Sequence, residues 1–573
     1  MKAIEALLAL PPLMLLASCV NGNTADGTGD LTYGDVITQV TVNKIKQMPD
    51  MPATYRMLDW EKKAKDYDAY VFDWNRSNSV GPLIWLDESH KNSGGETFGL
   101  FTTVGDIRQG EDKSGGSSHE AINTMAAVLG AGLVGIDKTC QDGYDYVKML
   151  QNYYASSNGW DIMVNNTSGY ATDWWYNVLP NILYYGVCDL FPGVDGADDI
   201  QKSIADKFAE ADGIMEQDYD YSYFDFGNMR GVVNSLPCEQ DAAGGQGYVL
   251  LCAWHKFGDD SYLEHCKNAI SVLDSQTESR FYEILMPFGV YAAAYLNAVE
   301  GTDYDVKKML NWVFEGCTSS SGRKGWGVIA GTWGPYDVSG LQGSTTDGGG
   351  YAFLMNSLEI AWPLVPMVKY QPQFAQAIGK WMLNDASACR LFYPQDMDDT
   401  HQYAPELKNI TDNNVAYEGL RYYDRYGTYP DVHPVAEGDG PTWVSGNPKS
   451  TMFSLYSTSP VGILGAIVNT TNVDGILQLD CNATDFYADK PYPVYLYYNP
   501  YGEPRTVEYR SSQKCDLFDI VSKTYAAKKL DVSGTFEIPA CCAMVLVELP
   551  SGISLKVADG RITADKKNVI AYY

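Results

Sequence analysis

Several things are scarce in this 573-residue chain. It has six histidines, and none is paired at helical metal-ligand spacing. No two of its 12 cysteines form a Cys-x-x-Cys pair. A zinc site built on such pairs is therefore not expected. His255 and His265 are close in sequence but fall on different helical patterns, so structural roles are expected for both. There is no phosphate-binding glycine motif; Asp347-Gly348-Gly349-Gly350 reads as a flexible lead into a helix. No organic cofactor and no metal are expected. Basic residues are also few, with 41 Lys and Arg against 72 Asp and Glu, a net charge of −31. That balance excludes general affinity for nucleic acid or anionic lipid and weakens the case for a highly charged uronate polymer. Beyond the N-terminal stretch, no run reaches the roughly 20 uninterrupted apolar residues of a membrane span.

What is abundant is aromatic: 13% of the chain, including 42 tyrosines. Flat rings beside polar groups suit the apolar C–H faces and hydroxyls of sugars, although core packing must account for most of them. Cys188, Cys252 and Cys266 lie within helical patterns and read as small buried hydrophobes.

The N-terminus reads as a targeting segment. Met1-Lys2 precedes an apolar stretch, Leu7 to Leu16, and then Leu16-Ala17-Ser18-Cys19. It resembles a bacterial lipoprotein signal, which implies lipidation of Cys19 and a place in the cell envelope. Residues 1–19 would be the signal. Residues 20–35, polar and Gly-rich, would be a flexible tether.

From there an inner-then-outer helix pattern repeats. Tyr248 to Phe257 is apolar all round. After the turn Gly258-Asp259-Asp260, Tyr262, Leu263, Cys266, Ala269, Ile270 and Leu273 mark one face of an amphipathic helix. Apolar runs at Ala121–Ile136, Trp174–Cys188, Leu285–Ala298 and Tyr351–Val365 each precede a similar follower. Two less regular stretches, Tyr55–Trp74 and Tyr417–Tyr426, are expected to complete a sixth pair. The pattern resembles the (α/α)6 toroid of six-hairpin glycosidases and several polysaccharide lyases, a resemblance of architecture. An open helical-hairpin solenoid is the alternative. The expected fold is mainly α, an (α/α)6 toroid over residues 36–440, followed by an antiparallel β-sandwich domain over 441–573. Its strands are expected at Gly462–Val468, Ile476–Asp480, Val494–Tyr498, Thr506–Tyr509, Thr535–Ile538 and Ala543–Glu548, with two more around Asp559-Gly560.

Loop lengths are asymmetric. Inner-to-outer links are short, whereas most outer-to-inner links are long, as are residues 81–118 before the first inner helix. In a ring of hairpins those long links share one rim, and long loops in compact domains usually carry function. They supply Glu88, Glu239, Asp241, Asp337 and Asp347 as candidate catalytic carboxyl groups. They also supply Trp85, His90, Trp160, Tyr223, Arg230, Trp333 and Tyr336 as candidate substrate contacts. Asp241 leads because it immediately precedes a buried helix, where burial raises a carboxyl pKa. Glycoside hydrolysis needs two carboxyl groups flanking the scissile bond. A glycoside hydrolase acting on an oligo- or polysaccharide is the first expectation. A lyase using Arg230, Arg323 and His90 on a uronate is the second, and a non-catalytic glycan-binding lipoprotein is the third.

Overall fold

The computed structural model describes residues 33–87, 92, 95–108, 119–156, 159–165, 172–316, 326–344, 350–423, 427 and 431–573. The protein is a mixed α and β molecule, with many helices followed by a C-terminal region of antiparallel sheet.

The helices that build its centre are α1 (Trp60–Val71), α2 (Ala121–Leu133), α3 (Trp174–Leu190), α4 (Ala197–Met215), α5 (Ala242–Phe257) and α6 (Asp260–Ser275). They continue with α7 (Leu285–Val299), α8 (Val306–Glu315), α9 (Leu354–Glu359), α10 (Ala361–Met367), α11 (Ala375–Ala388), α12 (Leu455–Thr458) and α13 (Gly462–Ile467). Helix α5 is buried without a break from Ala242 to Ala253. Its follower α6 buries Tyr262, Leu263, Cys266, Ala269, Ile270 and Leu273, the face its 3.6-residue period marks out. Gly258 closes α5 in the left-handed conformation (φ 68°), and the Asp259 side chain caps α6.

Among the buried helices, α2 packs on α3, α3 on α5, α5 on α7 and α7 on α10; α10 touches α13, and α13 packs on α2 and α1. Helices α4, α6, α8 and α11 pack outside these. Small residues permit the closest crossings. A Cβ on Gly462 would lie 2.1 Å from the Gly130 carbonyl oxygen, and one on Gly289 would lie 2.7 Å from Gly244 Cα. Hence the Gly- and Ala-rich composition of the inner runs.

Two readings of the sequence are corrected here. The described part of Tyr417–Tyr426, residues 417–423, does not supply a helix; its regular element is the strand Gly419–Arg421. Gly462–Val468 is not a strand; helix α13 covers Gly462–Ile467 and is buried among α1, α2 and α10. Its sequence, GILGAI, is a short apolar run, and periodicity cannot tell a short buried helix from a buried strand. Tyr144–Tyr154 is less regular than expected, with a four-residue helix followed by a 3₁₀ turn. Tyr351–Val365 opens as a strand before becoming α9 and α10.

The segments between the helices carry β1 (Ile84–Asp87), β2 (Thr97–Leu100), β3 (Tyr223–Asp225), β4 (Arg230–Val232), β5 (Trp326–Val328), β6 (Gln342–Ser344), β7 (Tyr351–Phe353), β8 (Gly419–Arg421) and β9 (Val435–Glu437). The last five make one antiparallel sheet in the order β9-β8-β7-β6-β5.

The C-terminal region holds β10 (Val468–Thr470), β11 (Leu477–Asp480), β12 (Val494–Tyr498), β13 (Arg505–Arg510), β14 (Cys515–Asp519), β15 (Thr524–Leu530), β16 (Ser533–Ile538) and β17 (Ala543–Pro550). Six of these pair in the order β10-β11-β12-β17-β14-β15, while β13 pairs with β16. Alternation divides the sheet between two cores. Leu496, Val545 and Val547 join the core shared with the helices, and β12 and β17 pack on α11. Tyr497, Met544 and Leu546 face Val507, Tyr509, Phe536 and Ile538 of the β13–β16 pair. Three final strands, β18 (Leu555–Ala558), β19 (Arg561–Ala564) and β20 (Asn568–Tyr572), form a further antiparallel sheet, one strand more than the two expected. Both residues of its first turn, Asp559 and Gly560, have positive φ (51° and 73°), as a two-residue hairpin requires.

Cys188, Cys252 and Cys266 are buried free thiols, as read from the helical pattern, whereas Cys542 is disulfide-bonded. Among the described residues no helix is long and apolar enough to cross a membrane.

Candidate functional site

Acidic residues stand at or just before the start of several buried helices. Glu120 precedes α2, Asp173 precedes α3, Asp241 precedes α5 and Glu283 lies two residues before α7. Helix N-termini favour negative charge, while burial opposes it; the second effect wins wherever a shift is seen here.

Glu120 occupies the N-cap position of α2 but does not cap it. Asn165 takes over that task. Its carbonyl oxygen accepts the Ala121 N–H at 2.6 Å, and its side-chain oxygen accepts the Ile122 N–H at 3.3 Å. The Asn165 amide then donates to the Glu120 carboxylate at 2.8 Å. One asparagine thus satisfies the helix end and aims the carboxyl group. Desolvation raises the Glu120 pKa above the ordinary carboxylate range, against lowering hydrogen bonds from Asn165 and Tyr176. Behind it, the buried His119 lies 3.3 Å from Asp87 of β1 and 2.5 Å from the Tyr153 hydroxyl, which donates to Thr124 of α2.

Asp173 caps α3 by accepting the Tyr176 N–H at 2.9 Å, and burial raises its pKa to about 6. The Tyr176 hydroxyl lies 3.4 Å from that of Tyr456 on α12. Glu120, Asp173 and Glu283 all act electrostatically on Tyr176, and Glu120 and Glu283 act on Tyr456. Trp175 lines the same place, with its ring 5.0 Å from Tyr176 and 6.3 Å from Tyr456. Glu120, Asp173, Trp175, Tyr176, Glu283 and Tyr456 are all half-buried, so solvent reaches this group although it sits over the centre of the helices.

The aromatic floor continues through β7. Phe353 lies 6.3 Å from Tyr456 and 5.9 Å from Tyr351, with Trp326 of β5 5.5 Å from Phe353. At its far end the Tyr351 hydroxyl donates to Glu418 at 2.8 Å, and the Asp439 N–H donates to the other Glu418 oxygen at 3.0 Å. Arg421 spans Glu437 (2.9 Å) and Asp439 (3.0 Å) and lies 4.0 Å over the Tyr351 ring. Desolvation, with the neighbouring Asp439 charge, pushes Glu418 up to about 7. The arrangement is a partly exposed row of aromatic rings with protonatable carboxyl groups at both ends, a candidate cleft. Such a surface can stack sugar rings and exchange protons with their oxygens.

The residues singled out from the sequence are distributed more widely. Asp241 is 1% exposed; it accepts backbone N–H groups of Tyr282 and Met286, and burial raises it to about 7. It joins the starts of α5 and α7 beneath the cleft. Glu239 is also buried. Asp337 is buried away from the helix centre, accepting the Ala53 and Ser339 N–H groups. Trp85 on β1 stacks on Phe101 and meets His119 edge-on, which brings it behind Glu120. Trp160 packs on Phe226, Trp333 on Tyr422, and Tyr336 donates to Asp398. Tyr223 lies on β3, and the exposed Arg230 stands 3.9 Å from Asp225. Glu88, His90 and Asp347 lie outside the described residues, as does Cys19. Among the described residues no group of three or more His, Cys, Asp or Glu could hold a metal ion.

Glu120, Glu283, Tyr176, Tyr456 and Glu418 were not anticipated. The signal for the first two was close to the one that selected Asp241: Glu120 stands immediately before a buried helix and Glu283 two residues before one. It had to be applied to every helix.

No protein-family model matches the chain, and no curated protein does. Solved structures of glycoside hydrolases share a distant likeness. A GH127 β-L-arabinofuranosidase from Geobacillus stearothermophilus T6 is 10% identical, with 89% of this chain and 85% of that chain covered and a TM-score of 0.36. A structure described as a glycoside hydrolase is 10% identical over 78% of this chain and 76% of that chain, at a TM-score of 0.34. A second GH127 β-arabinofuranosidase is also 10% identical, over 93% of this chain and 84% of that chain, at 0.30.

Proposed function

We propose that the protein hydrolyses glycosidic bonds of an oligo- or polysaccharide bound in this cleft. Glu120 serves as general acid and Glu283 as the opposing base or nucleophile. The observation that carries the reading is the pair of carboxyl groups acting on one Tyr176–Tyr456 hydroxyl pair from the starts of α2 and α7. With α2, α3, α5, α7, α9–α10 and α12–α13 taken as a closed (α/α)6 ring, α2 and α7 stand opposite each other. The helical unit then runs to about residue 467, with the β-sandwich following it. Desolvation favours the protonated form of Glu120, the form that can give a proton to the leaving oxygen. Asp173 beside it holds that proton more firmly, because like charges resist joint ionisation. Trp175, Trp326 and Phe353 supply stacking surfaces.

Among the described residues this site favours hydrolysis over a lyase; His90 and Arg323 lie outside them. A lyase needs a base and a cation to neutralise a uronate. Desolvation raises Tyr176, Tyr351 and Tyr456 well above the ordinary tyrosine pKa, the wrong direction for a base. Arg421 is already engaged by two carboxylates.

The localisation belongs to the same proposal: an envelope protein anchored by lipid on Cys19. If Cys19→Ala leaves membrane fractionation unchanged, the anchor is wrong. For the chemistry, purified protein is offered a glycan panel, and both reducing ends and the absorbance of unsaturated uronides are read. New reducing ends without that absorbance are expected, and Glu120→Gln and Glu283→Gln should each lower turnover by about 10²–10⁴. Unsaturated products would establish a lyase. Binding without cleavage would leave a glycan-binding protein.

A further inference from the structure

A cavity of about 500 Å³ lies at the C-terminal ends of α5, α7 and α10, the opposite end of α5 and α7 from Asp241 and Glu283. That volume falls within the roughly 300–1,000 Å³ of small-ligand sites. Helix α5 alone has 16 residues, so the two places lie about 24 Å apart at 1.5 Å per residue. The cavity lies between the helix ends and the C-terminal sheets, with lining from α5, α7, β12, β17 and β20.

One wall is aromatic and continuous. His255 meets Tyr295 at 5.1 Å, Tyr295 meets Tyr370 at 5.0 Å, and Tyr370 meets Tyr572 at 6.0 Å. Tyr370 is anchored by donating to the buried Asp485 at 3.0 Å, a carboxylate that also accepts from Tyr291 and Lys369. By contrast, the Tyr295 and Tyr572 hydroxyls and the His255 imidazole have no hydrogen-bond partner among the described residues. The Asp489 carboxylate opposes them; it too is unpaired, and it acts electrostatically on all three. Lys567 adds an unpaired ammonium on the other side. Donors and acceptors are therefore both available beside a stacking surface.

Charge decides the ligand class. Lys369 is neutralised by Asp485 at 2.6 Å and Lys490 faces Asp189 at 3.8 Å, which leaves Lys567 against Asp489. Three buried helices also end here, and helix C-termini disfavour anions. We propose that this cavity is a second, non-catalytic binding site for a neutral saccharide of one or two rings, held on the Tyr295–Tyr572 wall. The choice of a sugar rests on the glycan reading above; the cavity and its unpaired groups do not.

The test is saturation-transfer NMR with cellobiose, xylobiose, mannobiose, arabinobiose and lactose. The full-length Glu120→Gln protein is used, so that turnover does not consume the probe. At least one disaccharide should bind, and Tyr572→Ala should weaken it tenfold or more. Tyr572 is partly buried, so a second variant, Asp489→Ala at an exposed position, should weaken the same sugar without touching the fold. In an otherwise wild-type background both variants should keep the hydrolytic turnover. No binding by any of the five, or binding unaffected by both changes and abolished by Trp326→Ala, overturns the proposal. Tyr572-dependent binding in a protein that hydrolyses nothing would leave this site standing while the catalytic reading fell.

Discussion

Asp241→Asn separates burial from catalysis. In an unfolded chain this aspartate titrates near 3.8, and in the folded protein at about 7, because burial penalises its charged form. Between those values the folded state holds the proton more tightly than the unfolded one. The stability attached to Asp241 is therefore complete below about pH 4 and lost as pH rises through 7. A shift of about 3 units at 1.36 kcal/mol each amounts to about 4 kcal/mol. Asparagine keeps the shape and one acceptor but cannot ionise. One Asp241 oxygen has no partner among the described residues, so the amide nitrogen that replaces it gains no acceptor, a cost of roughly 1–3 kcal/mol. The protonated acid at low pH carries a similar unsatisfied donor. The two proteins should therefore unfold alike near pH 4, and the variant should become the more stable above pH 7. Urea or thermal unfolding followed from pH 4 to 8 reads the difference. Turnover of the preferred glycan should stay within a few-fold of wild type, because a side chain 1% exposed does not touch substrate. Parallel pH profiles for the two proteins, or a hundredfold loss of turnover, would refute the reasoning.

Glu359→Gln should act in the same direction over a different window: Glu359 is buried on α9 with neither oxygen partnered among the described residues, and burial raises it to about 8. Its variant should show a shallower decline in melting temperature between about pH 4.5 and 8, the share due to Asp241 remaining. Gly462→Ala should destabilise by about 1–3 kcal/mol in urea unfolding, because the added methyl meets the Gly130 carbonyl where α13 crosses α2; an unchanged midpoint would mean that the crossing is looser than described. Leu250→Ala, at a fully buried position of α5, should cost about 2–5 kcal/mol by the same measurement. Tyr456→Phe should lower kcat by about two- to tenfold, the net worth of one hydrogen bond, with a normal melting temperature.

Hydrophobic periodicity made the helical hairpins legible because it reports burial directly. The α5–α6 pair followed from an all-apolar run, a short Gly-Asp-Asp turn and an apolar stripe on the second helix. The same signal was ambiguous at GILGAI, where six apolar residues fit a strand as well as a helix; packing on α1, α2 and α10 selects the helix, and no local pattern reports those contacts. Five strands of the C-terminal region, β11, β12, β13, β16 and β17, were legible from short β-rich runs between turns, whereas β10, β14 and β15 were not read, nor which faces meet helices and which meet other strands.

Site chemistry was harder to read for a related reason. Long loops and acidic residues locate a rim, yet a carboxylate's use depends on what surrounds it. Asp241 and Glu120 occupy equivalent places in sequence, each directly before a buried helix. The Asp241 side chain turns to the backbone N–H groups of Tyr282, before α7, and Met286, in its first turn, and is sealed from solvent. Beside Glu120, Asn165 satisfies the helix end from a different loop, leaving the carboxyl group half-exposed beside Tyr176. The difference between a structural acid and a candidate catalytic one is thus made by a residue 45 positions away. Such a partner is invisible to spacing, which is why looking for an acid before a buried helix collects candidates without ranking them.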